Sequence, residues 1–239
     1  MRLTPGHSHG YRIAVKINAV LFDLDGTLLH TLPDIRDAMN GVLADWSLPG
    51  YEIDDYRRMV GWGIEYLAEL VVPEDRREMV DIGALAAELK QAYRSYPVKG
   101  TVPFDGVREL IDELHGAGMP MAILSNKAQE ITDNIVRTVF GEGLFSVVYG
   151  ARDDLPRKPD PAAAHRIASE LGVEPHRMVF VGDSAIDMET AQVAGMLPIG
   201  VAWGYREVEE LWMHGAAAVV SSPREIAELI RSEIETVNE

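Results

Sequence analysis

The sequence predicts an α/β fold, a mostly parallel sheet flanked by helices, with an all-helical segment inserted after the first strand. Three observations carry that reading. Short apolar runs recur at Ala19–Phe22, Met121–Leu124, Met178–Val181 and Pro198–Ala202, with a weaker one at Ser146–Tyr149. From about residue 100 onward these runs alternate with helical patterns, as successive βα units do. Between residues 31 and 99 no strong strand run occurs, and helical spacing takes over.

Each element has a local cause. A short apolar run bounded by turn residues reads as a strand buried on both faces of a parallel sheet. The first run ends in Asp23-Leu24-Asp25-Gly26-Thr27, the second in Ser125-Asn126, and the third in Gly182-Asp183-Ser184. Helices are expected over Gly106–His115, Gln129–Val139, Pro161–Leu171 and Ser184–Ala194. Gly116, Gly141, Gly172 and Gly195 stand where those helices should stop. In the inserted segment, helical spacing covers Pro33–Trp46, Ile64–Val71 and Glu74–Tyr96, punctuated by Pro49, Gly61, Gly63 and Pro73. Val208–Met213 and Arg224–Ile234 are expected to complete the main domain. Residues 1–17 read as a loose leader. The chain shows no internal repeat, which excludes a solenoid.

Composition narrows the function. With 239 residues, 47% of them hydrophobic and 25% charged, the chain can bury a substantial core. A formal charge of −16 argues against nucleic-acid partners and anionic membranes. Any site for an anionic substrate must then supply its own positive charge, a metal included. There is no cysteine, so disulfides, thiolate zinc sites and cysteine nucleophiles are excluded. No uncharged apolar run approaches the roughly 18 residues of a membrane span, and the first residues do not resemble a signal peptide. The expectation is a cytoplasmic protein, monomer or homodimer.

The chemistry gathers at the strand ends. On an extended segment, side chains at i and i+2 point the same way, so Asp23 and Asp25 are expected to converge while Leu24 turns to the core. Two carboxylates so close call for a cation such as Mg²⁺; the plainer account is a strand-ending Asp-Gly turn. Asp183 and Asp187 share a face if a helix begins near Ser184, although Asp187 alone also reads as an ordinary acidic helix start. Ser125 and Asn126 can serve an anion or simply cap a helix. Lys158, in Arg157-Lys158-Pro159-Asp160-Pro161, can place an ammonium on a phosphate or be a loop lysine. Ligands of open parallel sheets bind beyond the carboxyl ends of the strands, so these groups should meet at one edge. Carboxylates for a metal, a hydroxyl for an anion and one ammonium together describe a phosphoryl-transfer site.

Through Asp23-Leu24-Asp25-Gly26-Thr27, Ser125, Lys158-Pro159 and Gly182-Asp183-Ser184-x-x-Asp187, the chain resembles the haloacid dehalogenase-like phosphatase superfamily over about residues 18–205. It is similar to the phosphoglycolate phosphatase group through Thr31-Leu32-Pro33-Asp34-Ile35, Val60-Gly61-Trp62-Gly63, Asp153 to Pro161 and Trp203-Gly204-Tyr205. The resemblance implies a Rossmann-like core over residues 1–30 and 100–239 and a mobile helical cap over residues 31–99. It implies Asp23 as nucleophile, forming an aspartyl-phosphate, and Asp25 as general acid and base. It further implies Mg²⁺ held by the Asp23 carboxylate, the Asp25 backbone carbonyl and Asp183, with Asp187 in support. Ser125, Asn126 and Lys158 would bind the phosphoryl oxygens.

The implied substrate is a small phosphorylated metabolite, with 2-phosphoglycolate first. Sugar phosphates, nucleotides and pyrophosphate stay open, as do a phosphosugar mutase and a non-catalytic binding module. An Asp at position 25 favours phosphoryl transfer over dehalogenation. Gly61, Trp62 and Gly63 can offer backbone N–H groups to a small carboxylate, or form a plain turn with Trp62 as packing. Arg57, Arg58 and His30 are further residues near the expected substrate, each with a structural alternative: solvated helix ends for the arginines, hinge lining for His30. Asp153-Asp154 reads more simply as a turn than as part of the metal site.

Overall fold

A computed structural model describes residues 16–96 and 98–235. The first fifteen residues of the expected leader lie outside the described residues. The first strand, β1 (Ala19–Phe22), is followed by β2 (Leu29–His30) and the helices α1 (Leu32–Asp45), α2 (Ile53–Met59), α3 (Ile64–Leu70) and α4 (Ile82–Ser95). The chain returns through β3 (Val102–Pro103) and α5 (Val107–Gly116) to β4 (Met121–Ala128), α6 (Gln129–Phe140), β5 (Val147–Ala151) and α7 (Ala162–Leu171). It ends with β6 (Met178–Gly182), α8 (Ala185–Val193), β7 (Leu197–Val201), α9 (Val208–Met213), β8 (Ala218–Val220) and α10 (Pro223–Glu235).

Among the described residues one six-stranded sheet runs in the order β5-β4-β1-β6-β7-β8, every neighbouring pair parallel. Apart from Ser125-Asn126-Lys127 at the end of β4, its strands carry apolar residues and glycine because both faces are covered. Val20 and Phe22 of β1 join one core with Ile123, Val179 and Val181. Ala19 and Leu21 join the other with Ala122, Leu124, Met178 and Phe180. Alternate residues thus serve opposite cores, as the two-residue period of a strand requires.

The helices α1 to α4 leave and rejoin this sheet at one place. β2 and β3 pair antiparallel, Leu29 with Pro103 and His30 with Val102. Asp34, buried in the first turn of α1, closes the junction by accepting the backbone N–H groups of Lys99 (3.2 Å), Gly100 (2.8 Å) and Thr101 (2.9 Å). Asp34→Ala would strand those donors, so we expect a loss of about 3 kcal/mol, measurable by urea denaturation.

Several local expectations are corrected. Glu74–Tyr96 is not one helix: a 3₁₀ turn occupies Glu74–Arg76, and α4 starts at Ile82, where Asp81 accepts the Ala84 N–H at 3.0 Å. The unexpected α2 buries only Tyr56, too little for an apolar period, and is held at its start by reciprocal Glu52 and Asp55 bonds. The strands β2 and β3, two residues each, are too short to show as apolar runs, whereas β8 lies in the apolar stretch Ala216–Val220, a strand signal absent from the expected elements. Gly116 stays inside α5, and Gly118 (φ 69°) makes the left-handed turn instead. β4 runs on to Ala128, so Ser125 and Asn126 sit on the strand, and the N-cap of α6 is Ala128. Among the described residues no helix is long and apolar enough to cross a membrane.

Candidate active site

β1 lies between β4 and β6, so the chain turns opposite ways from it, and a crevice opens where the strands end. Asp23 directly follows β1 and donates its N–H to Val181 O (2.9 Å). Asp183 directly follows β6, Asp187 lies in the first turn of α8, and Ser125 faces them from β4. Asp23, Asp183 and Asp187 are buried and each offers an oxygen within 4.8 Å of the others. Into this cluster reaches the buried Lys158, its Nζ donating to Asp23 Oδ1 (2.7 Å) and Asp187 Oδ1 (2.6 Å). The Lys158-Pro159 peptide is cis.

The charges do not balance. Burial pushes the Asp23 carboxyl well above its ordinary pKa; Lys158 opposes this, while Asp187, Asp183 and Asp25 add to it. Burial likewise pushes Asp183 up to about 7, helped by Asp187 and resisted by the Tyr205 N–H, Arg206 and Lys158. For Lys158 burial works against the charge, but Asp187 and Asp23 outweigh it and hold the ammonium above its usual value. Three buried carboxylates face one ammonium, and an all-oxygen donor set of this kind fits a hard divalent cation.

The two later aspartates differ in how they are held. Asp187 Oδ2 accepts Ser184 N (3.1 Å) and Oγ (2.7 Å), so Asp187 caps its helix and also pairs with Lys158. Asp183 Oδ2 accepts the Tyr205 N–H at 2.7 Å. Gly26, at φ +85°, passes so close that a Cβ there would stand 2.2 Å from Asp183 Oδ2; only glycine allows both the turn and the approach.

Asp25 faces the same pocket as Asp23, but its carboxylate lies outside the cluster. Its Oδ1 accepts Thr31 Oγ1 and Lys127 Nζ, both at 2.6 Å. The Asn126 side chain is committed to the protein rather than free for an anion. Its Oδ1 accepts the Lys158 N–H (2.9 Å), and its Nδ2 donates to Lys158 O (3.1 Å) and Gly61 O (3.0 Å). Ser125 is buried, lines the pocket, and accepts the Lys127 N–H at 3.2 Å.

The helical insert roofs the pocket. Gly61 and Gly63 line it, as do Ile35, Met39, Ile64 and Leu67. Trp62 does not line it: the indole is half exposed and packs on Tyr66, with ring centroids 6.1 Å apart. Arg57 and Arg58 are exposed and pair with Asp54 (3.7 Å) and Asp55 (2.8 Å). His30 packs against Phe104 and Tyr205 at the β2–β3 junction, and burial, with Arg57, lowers its pKa. Asp153 is exposed and Asp154 pairs with Arg152 (2.9 Å) and Arg166 (3.0 Å), so neither belongs to the acidic cluster.

A sequence profile of haloacid dehalogenase-like hydrolases matches residues 17–195. The chain belongs to the haloacid dehalogenase-like hydrolase family. It is 30% identical to a phosphoglycolate phosphatase of Chromobacterium violaceum, over 90% of this chain and 97% of that protein. It is 29% identical to an N-acetylmuramic acid 6-phosphate phosphatase of Pseudomonas aeruginosa, over 90% of this chain and 96% of that protein. A crystal structure of a phosphoglycolate phosphatase candidate from Lactobacillus delbrueckii subsp. bulgaricus superposes with a TM-score of 0.82 at 28% identity, over 90% and 99% of the two chains. Within the haloacid dehalogenase-like family this protein falls in the phosphoglycolate phosphatase-like group and is a phosphatase.

In this haloacid dehalogenase-like hydrolase, sequence reasoning gave no place in the pocket to the polar residues Lys90, Tyr93, Lys127, Tyr205 and Arg206. Lys127 directly follows Ser125-Asn126 and so carried a positional signal. Tyr205 has its hydroxyl on the Thr31 N–H (2.9 Å). Arg206 donates to the carbonyls of Arg57 and Val60 (2.7 Å for the latter), and Arg157 pairs with Glu65 at 2.6 Å. These contacts join the sheet domain to the helical insert.

Proposed function

We propose that the chain hydrolyses a small-molecule phosphate monoester in two displacements with Mg²⁺ as cofactor. The observation that carries this reading is the buried Asp23, Asp183 and Asp187 cluster around Lys158, with Asp25 beside it in one pocket. A carboxylate oxygen of Asp23 attacks phosphorus and the alkoxide leaves, taking a proton from Asp25. Asp25 then accepts a proton from the water that attacks the aspartyl-phosphate, and phosphate departs with Asp23 restored. Mg²⁺ would be held by Asp23, the Asp25 backbone carbonyl and Asp183, with Asp187 in support. When bound, it offsets the repulsion between Asp23 and the incoming phosphoryl group. Lys158 and the Ser125 hydroxyl serve the phosphoryl oxygens, while Asn126 acts through the Lys158 backbone it holds.

In this reading residues 31–99 are a cap over the core of residues 1–30 and 100–239, closing the site to water. The setting in this reading is cytoplasmic, a reducing compartment that a chain without cysteine fits. The similarity to phosphoglycolate phosphatases supports 2-phosphoglycolate as the first substrate to try. A second reading, a bulkier ester such as a sugar phosphate, is favoured by the apolar roof of Ile35, Met39, Ile64 and Leu67, which offers surface that glycolate would leave unused.

Phosphate release is the test, with and without Mg²⁺, across 2-phosphoglycolate, sugar phosphates, nucleoside monophosphates and pyrophosphate. Mg²⁺-dependent turnover led by 2-phosphoglycolate is expected. Turnover led by sugar phosphates would select the second reading, and interconversion of isomers without phosphate release would replace both with a mutase.

A further inference from the structure

We infer that Lys127 is the positioning residue that aims Asp25, and that Tyr93 makes this aim depend on closure of the helical insert. The inference rests on the phosphatase reading for what Asp25 does, and on geometry for how it is held.

Asp25 is gripped by one oxygen only. Its Oδ1 accepts both Thr31 Oγ1 and Lys127 Nζ at 2.6 Å, and among the described residues no donor bonds to Oδ2. Asp25 lines the pocket, and with Oδ1 doubly bonded, Oδ2 is the oxygen left to meet a bound ester. Two donors on Oδ1 set the plane of the carboxylate, and catalytic groups need that kind of restraint from neighbours that are themselves fixed.

Lys127 is fixed from two sides. It stands on β4, in the sheet domain, with its side chain only 7% exposed. Its Nζ donates to Tyr93 Oη at 2.8 Å and lies 4.8 Å from the centre of the Tyr93 ring. Tyr93 belongs to α4, in the insert, and is itself buried. Burial, with the charges of Asp25 and Asp34, holds its phenol well above the usual pKa, so the hydroxyl stays neutral. The ammonium therefore sits between a carboxylate of one unit and a hydroxyl and ring of the other. Lifting the insert removes the hydroxyl, the ring and the cover from water together. A flexible lysine freed in this way has no reason to stay on Asp25 rather than in solvent. Correct presentation of Asp25 is thus completed only when the insert is down.

The other pocket cations do not share this arrangement. Lys158 is spent on Asp23 and Asp187, Arg206 on backbone carbonyls of the insert, and Lys90 faces Glu130 at 3.8 Å.

The test compares Lys127→Met, Lys127→Arg, Tyr93→Phe and the Lys127→Met/Tyr93→Phe double variant, with Mg²⁺ and the best ester of the panel. Lys127→Met is expected to lower kcat about 10- to 100-fold with KM within about twofold, the cost of a misaimed catalytic group. Tyr93→Phe keeps the ring and should lower kcat about 3- to 10-fold; the double variant should be no slower than Lys127→Met, because both changes break one linkage. Lys127→Arg should recover part of the loss. A rise in KM at constant kcat would make Lys127 a substrate ligand and overturn the inference, as would multiplicative losses in the double variant. A readout independent of turnover is the crystal structure of Lys127→Met: a rotated Asp25 carboxylate supports the inference, and an unmoved one overturns it. If the wild type releases phosphate from no ester, the phosphatase reading fails, and that structure still decides whether Lys127 aims Asp25.

Discussion

Asp23→Asn is expected to reduce phosphate release by a factor on the order of 10⁴ or more, while leaving the metal-free protein at least as stable as the wild type. The two halves have one cause. Asp23 would be the nucleophile, and an amide can neither attack phosphorus nor form the acyl phosphate. The same carboxylate is costly to the fold at neutral pH, since burial, then Asp187, Asp183 and Asp25, raise its pKa against the pull of Lys158. A neutral amide removes that penalty, and Lys158 keeps Asp187 as its partner at 2.6 Å. Single-turnover phosphate release and thermal denaturation in a chelator measure the two effects. Retention of more than a tenth of the wild-type rate would remove Asp23 from the covalent role.

The second large effect is the interplay of pH and divalent cation in stability. Asp183 rises from an ordinary value of 3.8 to about 7 through burial and Asp187, and Asp23 also rises. A carboxylate whose folded pKa is raised binds its proton longer in the folded state than in the unfolded one. Its stabilising contribution is full below the unfolded pKa and is lost as pH climbs through the folded one. For Asp183 that window runs from about 4 to about 7. Lys158 keeps its proton throughout, because Asp187 and Asp23 outweigh its burial. The metal-free protein should therefore lose stability across this window, and Asp183→Asn should flatten the loss. Mg²⁺ should restore stability at the alkaline end, by about 2.7 kcal/mol at a hundred times its Kd. Chelator-treated and Mg²⁺-loaded protein, unfolded in urea at pH 5 and 8, provide the comparison. A Mg²⁺ effect equal at both pH values would show that the cation does not bind at these carboxylates.

The parts of the fold legible in the sequence are those with a local cause. A strand buried on both faces must be apolar at every position, so β1 and β6 stand out as runs and their ends are marked by Asp23 and Asp183. The apolar run of β4 stops at Leu124, short of the strand's end, because Ser125, Asn126 and Lys127 line the site rather than a core. β2 and β3 are two residues each and exist through pairing with one another. The helix α2 buries a single tyrosine, so nothing periodic marked it.

The candidate site divides along the same line. The acids, Ser125 and Lys158 are readable because they sit beside strand ends and turn residues whose geometry is local. What those side chains do was not. Asp187 serves its helix and Lys158 at once. Asn126 turns out to hold the Lys158 backbone and the Gly61 carbonyl. The Gly61 to Gly63 turn reaches the pocket while Trp62 turns away from it.

By itself the sequence determined an α/β sheet with acids at its strand ends, an inserted helical segment and the absence of thiol chemistry. Backbone propensity, apolar periodicity and residue type are properties of short stretches. Only the tertiary structure decided which lysine each aspartate keeps. Asp23 takes Lys158 from 135 residues away and Asp25 takes Lys127 from 102 away, with Tyr93 closing over it from the insert. Such pairings depend on where packing places whole elements, and no stretch of chain encodes that alone.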